Sequence, residues 1–106
     1  MQKINFNEIK SKEIVPGFYA KFVHSANMTF VYWNIKKDAK LPEHSHPHEQ
    51  VAHVISGKFE VTLNGETHIL KKDDIFIIPP QAKHSGRALT DCQILDTFYP
   101  VRKDYL

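Results

Sequence analysis

The stretch His44-Ser45-His46-Pro47-His48-Glu49-Gln50, closed by Gly57 and answered later by His84 behind Pro79-Pro80, decides how this chain is read. Residues 44, 46, 48 and 50 share parity, so an extended strand would present their side chains on one face. Three imidazoles and an amide have little to offer a hydrophobic core. They suit a divalent cation, for which neutral imidazole is the commonest protein ligand. The bland alternative is a histidine-rich, solvent-exposed loop that binds nothing. The residues on the C-terminal side of the cluster argue against it.

From residue 17 onward the pattern is one of short strands. Phe18 to His24 and Met28 to Lys36 are rich in aromatic and β-branched residues, which fit a pleated surface better than a helix. Val51 to Ile55 runs out of the histidine cluster and stops at Ser56-Gly57. In Lys58 to Leu63, Phe59, Val61 and Leu63 alternate onto one face. Asn64-Gly65 then predicts a tight hairpin, because both central residues of a type I′ turn need positive φ. Thr67 to Lys71 is the expected return strand. Asp73-Asp74 marks another turn, Ile75 to Ile78 reads as a buried strand, and Pro79-Pro80 ends it. Cys92 to Tyr99 is the last. Strands at this spacing, with no helical period, predict an all-β antiparallel barrel or sandwich. Residues 1–106 are expected to form one domain, with 1–16 as an N-terminal arm and 17–106 as the barrel.

The formal charge of +2 comes from 14 basic and 12 acidic side chains scattered without a basic block, which argues against nucleic acid as a partner. No apolar run approaches the roughly 20 residues of a membrane span. The N-terminus lacks the apolar core of a secretory signal, and Cys92 has no second cysteine to pair with. The expected compartment is the cytoplasm, with Cys92 a structural thiol in an apolar strand.

Together these residues resemble the cupins, small β-barrels that hold a metal. The first cupin motif, Gly-x5-His-x-His-x3-Glu-x6-Gly, falls on Asp38, His44, His46, Gln50 and Gly57 with its spacing intact. The second, Gly-x5-Pro-x-Gly-x2-His-x3-Asn, falls on Asp73, Pro79, Gln81, His84 and Ala88. Asp in place of Gly is tolerable, since Asp also adopts turn conformations. Gln50 stands where many cupins carry a metal-binding glutamate. The neighbouring Glu49 would face the other way on a strand. The resemblance implies His44, His46, Gln50 and His84 as ligands of one divalent transition metal (nickel, zinc, iron, manganese or cobalt), with His48 an alternative to Gln50. Such a set is neutral, which leaves the charge of the ion available to polarise an oxygen and argues against two-histidine-one-carboxylate oxygenases.

A closer resemblance covers most of the chain. The histidine cluster, the hairpin after it and the ending Asp96-Thr-Phe98-Tyr-Pro100-Val-Arg102-Lys-Asp104-Tyr105-Leu106 are similar to the KdgF-type cupins of pectin and alginate breakdown. That family opens 4,5-unsaturated monouronates to linear keto acids. Its pattern Asp-x-Phe-x-Pro-x-Arg implies Asp96, Phe98 and Arg102 as catalytic residues, with a small-molecule sugar acid as partner. Asp96 would carry the proton, Arg102 would hold the substrate carboxylate, and Phe98 would press on the sugar ring. Asp96 shares parity with Ile94 and Phe98, which predicts that it points inward. Trp33 or Tyr32 is a candidate for the pocket mouth or a subunit contact. His24, His53 and His68 are read as surface or half-buried strand residues. Phe18, Tyr19, Phe22 and Phe30 give the first strands aromatic residues to spare, so a homodimer is expected. The rival readings are a metal-dependent dioxygenase and a non-catalytic metal- or sugar-binding module.

Overall fold

Alternating apolar and polar residues make strands that bury one face, and ten of them build the protein in its computed structural model, which describes Met1–Leu106 throughout. In chain order they are β1 (Lys12–Val15), β2 (Phe18–His24), β3 (Thr29–Ile35), β4 (Lys40–His44), β5 (Glu49–Ser56), β6 (Phe59–Leu63), β7 (Glu66–Leu70), β8 (Ile75–Ile78), β9 (His84–Ala88) and β10 (Cys92–Tyr99). They form two antiparallel sheets, ordered β1-β2-β3-β10-β5-β8 and β4-β9-β6-β7. Short 3-10 turns at Phe6–Glu8 and Lys103–Tyr105 flank them. No helix is long and apolar enough to cross a membrane.

Parity decides which side chains meet. Thr29, Val31, Trp33 and Ile35 of β3 are buried while the residues between them face out. Cys92, Ile94, Asp96 and Phe98 of β10 do the same beside them, and Gln50, Ala52 and Val54 of β5 complete the inner face. From the other sheet come Phe59, Val61, Leu70 and Ala88. Two polar residues therefore sit in an otherwise apolar row on β10 and β5, Asp96 and Gln50, and they are brought close by the pairing Phe98↔Gln50 and Asp96↔Ala52.

The turns obey the chemistry of their residues. Asn64 and Gly65 have φ of 49° and 82°, as a type I′ hairpin requires. All three residues that replace motif glycines keep the left-handed backbone: Asp38 at 70°, Asp73 at 69° and Gln81 at 66°. Gly57 is retained because a Cβ there would strike the Asp91 carbonyl oxygen, and its φ is 87°.

Three strands carry little sequence signal. β1 is short and mostly exposed, yet it pairs with β2 and gives the arm a fixed place in the larger sheet. β4 contains Pro42 and a register shift between Leu41 and His44. β9, His84-Ser-Gly-Arg-Ala, has almost no β-forming character, and Gly86 is there because the Phe59 ring occupies the space of a side chain.

Two of the four aromatic residues read as spare are not. Phe18 is 2% exposed in the core, and Phe22 packs inward against it and against Tyr105. Phe18 and Phe22 hold even positions of β2 that face the barrel, so the core takes them, while Tyr19 points the other way. Tyr32 faces outward and is met edge-on by Phe6 at 4.9 Å, while Trp33 faces the interior rather than a rim.

Candidate metal centre

Four side chains converge where β4, β5 and β9 meet, although not by strand parity. Ser45 to His48 form a bend that carries the chain from one sheet to the other, so only His44 and Gln50 lie within strands. His44 faces inward because the register shift in β4 absorbs one residue after Leu41. It then sits directly opposite His84 of β9, with ring centroids 4.2 Å apart. The bend folds His46 onto both, 5.8 Å from His44 and 5.0 Å from His84. One ligand atom from each of the three lies within 4.8 Å of the others, an arrangement able to hold a metal ion. His48 falls outside this group. It is half-buried against Phe98, and its ring lies 5.5 Å from that of His46. His24, His53 and His68 are also elsewhere, at Thr29, Asp73 and Glu66 respectively.

Hydrogen bonds prepare the nitrogens. Nδ1 of His44, His46 and His84 faces the carbonyl oxygens of Pro42, His48 and Ala82 at 2.8, 3.1 and 2.9 Å. A carbonyl only accepts, so each Nδ1 carries the proton and each Nε2 keeps a lone pair. Burial, the Arg102 cation and His84 push the His46 pKa down to about 4, and burial lowers His84 as well. Both are neutral bases at pH 7, the form a metal needs.

Gln50 brings a fourth donor. Its Oε1 lies 3.1 Å from His46 Nε2, a carbonyl oxygen opposite a lone pair. That contact repels unless the amide turns over or a cation shares both atoms. Ligands at right angles on one ion, with bonds of about 2.1 Å, stand about 3 Å apart. The donor set therefore fits a divalent metal, with the Gln50 oxygen beside His46 and His48 outside the three-histidine group.

The same interior holds a carboxyl. Asp96 is 8% exposed, its Oδ2 accepts the Trp33 Nε1–H at 2.9 Å, and its Oδ1 has no hydrogen-bond partner. Burial pushes its pKa up to about 6 against the opposing pull of the Gln50 amide, the Trp33 indole and the Arg102 cation. Phe98 places its ring edge-on to His46 at 5.5 Å.

Arg102 is held from several sides. Its backbone N–H donates to Thr29 Oγ1 at 2.9 Å, and its guanidinium lies between the rings of Phe98 and Tyr105, at 4.7 and 4.2 Å. Nε and Nη2 donate to the two Asp104 oxygens at 3.0 and 2.7 Å. One edge of the fork expected to receive a substrate is thus already engaged within the chain. That pairing keeps Asp104 well ionised and holds the Arg102 charge against the cost of burial.

A cavity connects these groups, lined by His44, Gln50, His84, Asp96, Phe98, Arg102 and Tyr105 at its polar end. Its floor is apolar, and Ile14 and Val15 of the N-terminal segment help to close it. The reading of Trp33 as a residue lining the pocket holds, but its bond to Asp96, and the roles of Tyr105 and Asp104 beside Arg102, leave no mark in the sequence. Trp33 alternates like any core residue, and its partner Asp96 lies 63 positions away.

Two facing antiparallel sheets with three inward histidines at one end define a class, and the comparison with known families agrees: residues 31–98 match the cupin domain, and the chain belongs to that family. Within it the chain is KdgF-like. It is 33% identical over 103 residues to the pectin degradation protein KdgF of Dickeya dadantii (strain 3937), spanning 94% of each chain. The solved structure of KdgF from Halomonas sp. superposes with a TM-score of 0.89 at 32% identity, again over 94% of both chains. An RmlC-like cupin from Shewanella frigidimarina NCIMB 400 gives a TM-score of 0.92 at 27% identity, over 100% of this chain and 97% of that one.

Proposed function

We propose that this cupin binds one divalent transition metal through His44, His46, Gln50 and His84, and opens 4,5-unsaturated monouronates derived from pectin or alginate to linear 5-keto acids. The observation that carries the reading is the buried carboxyl of Asp96, one oxygen unpartnered, lining the same cavity as His44 and His84. A buried acid in an apolar strand is costly unless it serves a purpose. The likeness to KdgF supplies the substrate class.

The substrate is a cyclic hemiacetal whose ring oxygen is attached to a C4=C5 double bond. The anomeric O–H proton leaves and the bond from C1 to the ring oxygen breaks, giving the aldehyde. The ring oxygen stays on C5 as an enolate, and protonation at C4 yields the 5-ketone. Atoms are conserved and no oxidant is needed. The metal, when bound, supplies Lewis-acid polarisation of a substrate oxygen. Asp96 takes the anomeric proton on Oδ1 and returns one to C4. A carboxyl held near pH 6 suits both directions of transfer. Phe98 covers the ring and excludes water. Arg102 meets the substrate carboxylate with the donors that Asp104 leaves free.

The decisive assay monitors loss of the unsaturated uronate's ultraviolet absorbance, above its spontaneous background, with metal-loaded protein. An unchanged rate on both pectin- and alginate-derived monomers would sink the proposal, and oxygen uptake on another substrate would promote the dioxygenase. Arg102→Lys is expected to raise KM by roughly 10- to 100-fold, because an ammonium does not reproduce the planar fork or its stacking between two rings. A KM within twofold of wild type would remove Arg102 from the site.

A homodimer belongs to the same proposal. β8 ends the six-stranded sheet, and its outward Ile75 and Ile77 are 62% and 61% exposed. Ile77 is in register with Val51 of β5, which extends the apolar surface inward from the edge, while Ile75 is opposite His53. An uncharged apolar edge strand invites pairing, and a second copy would cover it. Light scattering should give twice the chain mass. A monomer at micromolar concentration would refute this.

A further inference from the structure

We propose that Trp33 is a positioning residue for proton transfer, an inference that rests on the uronate-opening reading of the site. β3 and β10 pair Trp33 with Ile94, which sets Asp96 two residues further along the same inner face. There the Trp33 Nε1–H donates to Asp96 Oδ2 at 2.9 Å, and both residues are 8% exposed. Phe18 buttresses the indole in this contact, meeting its ring edge-on at 5.7 Å with planes 85° apart.

An indole nitrogen is a donor only. Oδ2 is therefore the acceptor, and because a carbonyl-type oxygen accepts better than a hydroxyl one, a proton carried by Asp96 is favoured on Oδ1. That oxygen has no partner in hydrogen-bond geometry, although the Gln50 amide also acts on the carboxyl. Trp33 thus makes a symmetrical carboxyl one-sided and stops it from rotating about its terminal bond. The proton is presented from one atom in one direction. A phenol or hydroxyl at the same place could reverse its role and let the proton move to either oxygen. Trp33 itself touches no reacting atom; it acts through Asp96.

Trp33 is the only tryptophan in the chain, which makes the test unusually clean. Trp33→Phe keeps an aromatic ring and removes the N–H. Where that variant folds poorly, replacing tryptophan biosynthetically by benzothienylalanine exchanges the N–H for sulfur at this one site. Either change should lower kcat by roughly 10-fold or more, with KM within twofold and metal content unaltered. In an Asp96→Asn background the same change should have no further effect on the residual rate, because its target is already disabled. A purely structural role would instead multiply the two losses.

A second readout does not depend on turnover. The single indole N–H resonance should be shifted downfield and slow to exchange in wild type, and should lose both properties in Asp96→Ala. An indole signal insensitive to Asp96, or equal losses in the two backgrounds, would overturn the role of Trp33 alone. Wild-type protein inactive on every monouronate would overturn the uronate reading and this role with it.

Discussion

Asp96→Asn should keep its fold and its metal while losing about 10²- to 10⁴-fold in rate, the range in which a positioned proton carrier contributes. The fold should survive because the substituted amide still offers an oxygen to the Trp33 indole, so the buried N–H keeps its acceptor. The rate should not, because an amide neither accepts nor returns a proton at neutral pH. Measuring kcat alongside metal content and thermal midpoint separates these effects. If Asp96→Asn turned over within threefold of wild type, the unpartnered oxygen would need another explanation and the proton would have to move elsewhere.

His84→Ala should have the second large effect, on metal occupancy. His84 is one of three converging imidazoles, is 3% exposed, and shares its strand position with His44 across the sheet. Its removal takes one imidazole from the group. Elemental analysis should fall from near one ion per chain to near none. With free metal a thousandfold above Kd, binding contributes about 4 kcal/mol to stability. For a chain of this size that corresponds to a thermal midpoint on the order of 15 °C lower or more when the ion is lost. Chelated wild type should therefore melt near His84→Ala, and added metal should restore only the wild type. Equal responses of the two proteins to metal would show that the ion binds elsewhere.

Much of this site is legible in the sequence, and the parts that are not have physical reasons. The resemblance to the cupin motifs implies His44, His46, Gln50 and His84 as one group, and the three histidines do converge. The mechanism of convergence was illegible, because a bend at Ser45 to His48 and a register shift in β4 replace the continuous strand that parity assumes. The same bend carries His48 away from the group that its parity suggested. Alternation on β10 identified Asp96 as inward, since one face of that strand is apolar over its whole length. It could not reveal Trp33 as a partner or Asp104 as the group that occupies Arg102, because hydrogen bonds between distant or adjacent residues leave no period in a sequence. β9 went unseen for a related reason. Its residues are chosen for the ring of Phe59 and for the ligand role proposed for His84, not for strand propensity.

The carbonyls that orient the three imidazoles belong to the main chain at Pro42, His48 and Ala82. Where such orienting groups are side chains, a single codon change can delete one and retune the ion. Here no substitution can remove the acceptor itself. Variation among descendants of this sequence is thus steered toward the proposed fourth ligand, Gln50, whose charge a single exchange can change. An exchange there for glutamate would add a negative charge beside His46 while leaving the three histidines aimed as before. The geometry of the centre is inherited with the backbone, and its charge is left open to change one residue at a time.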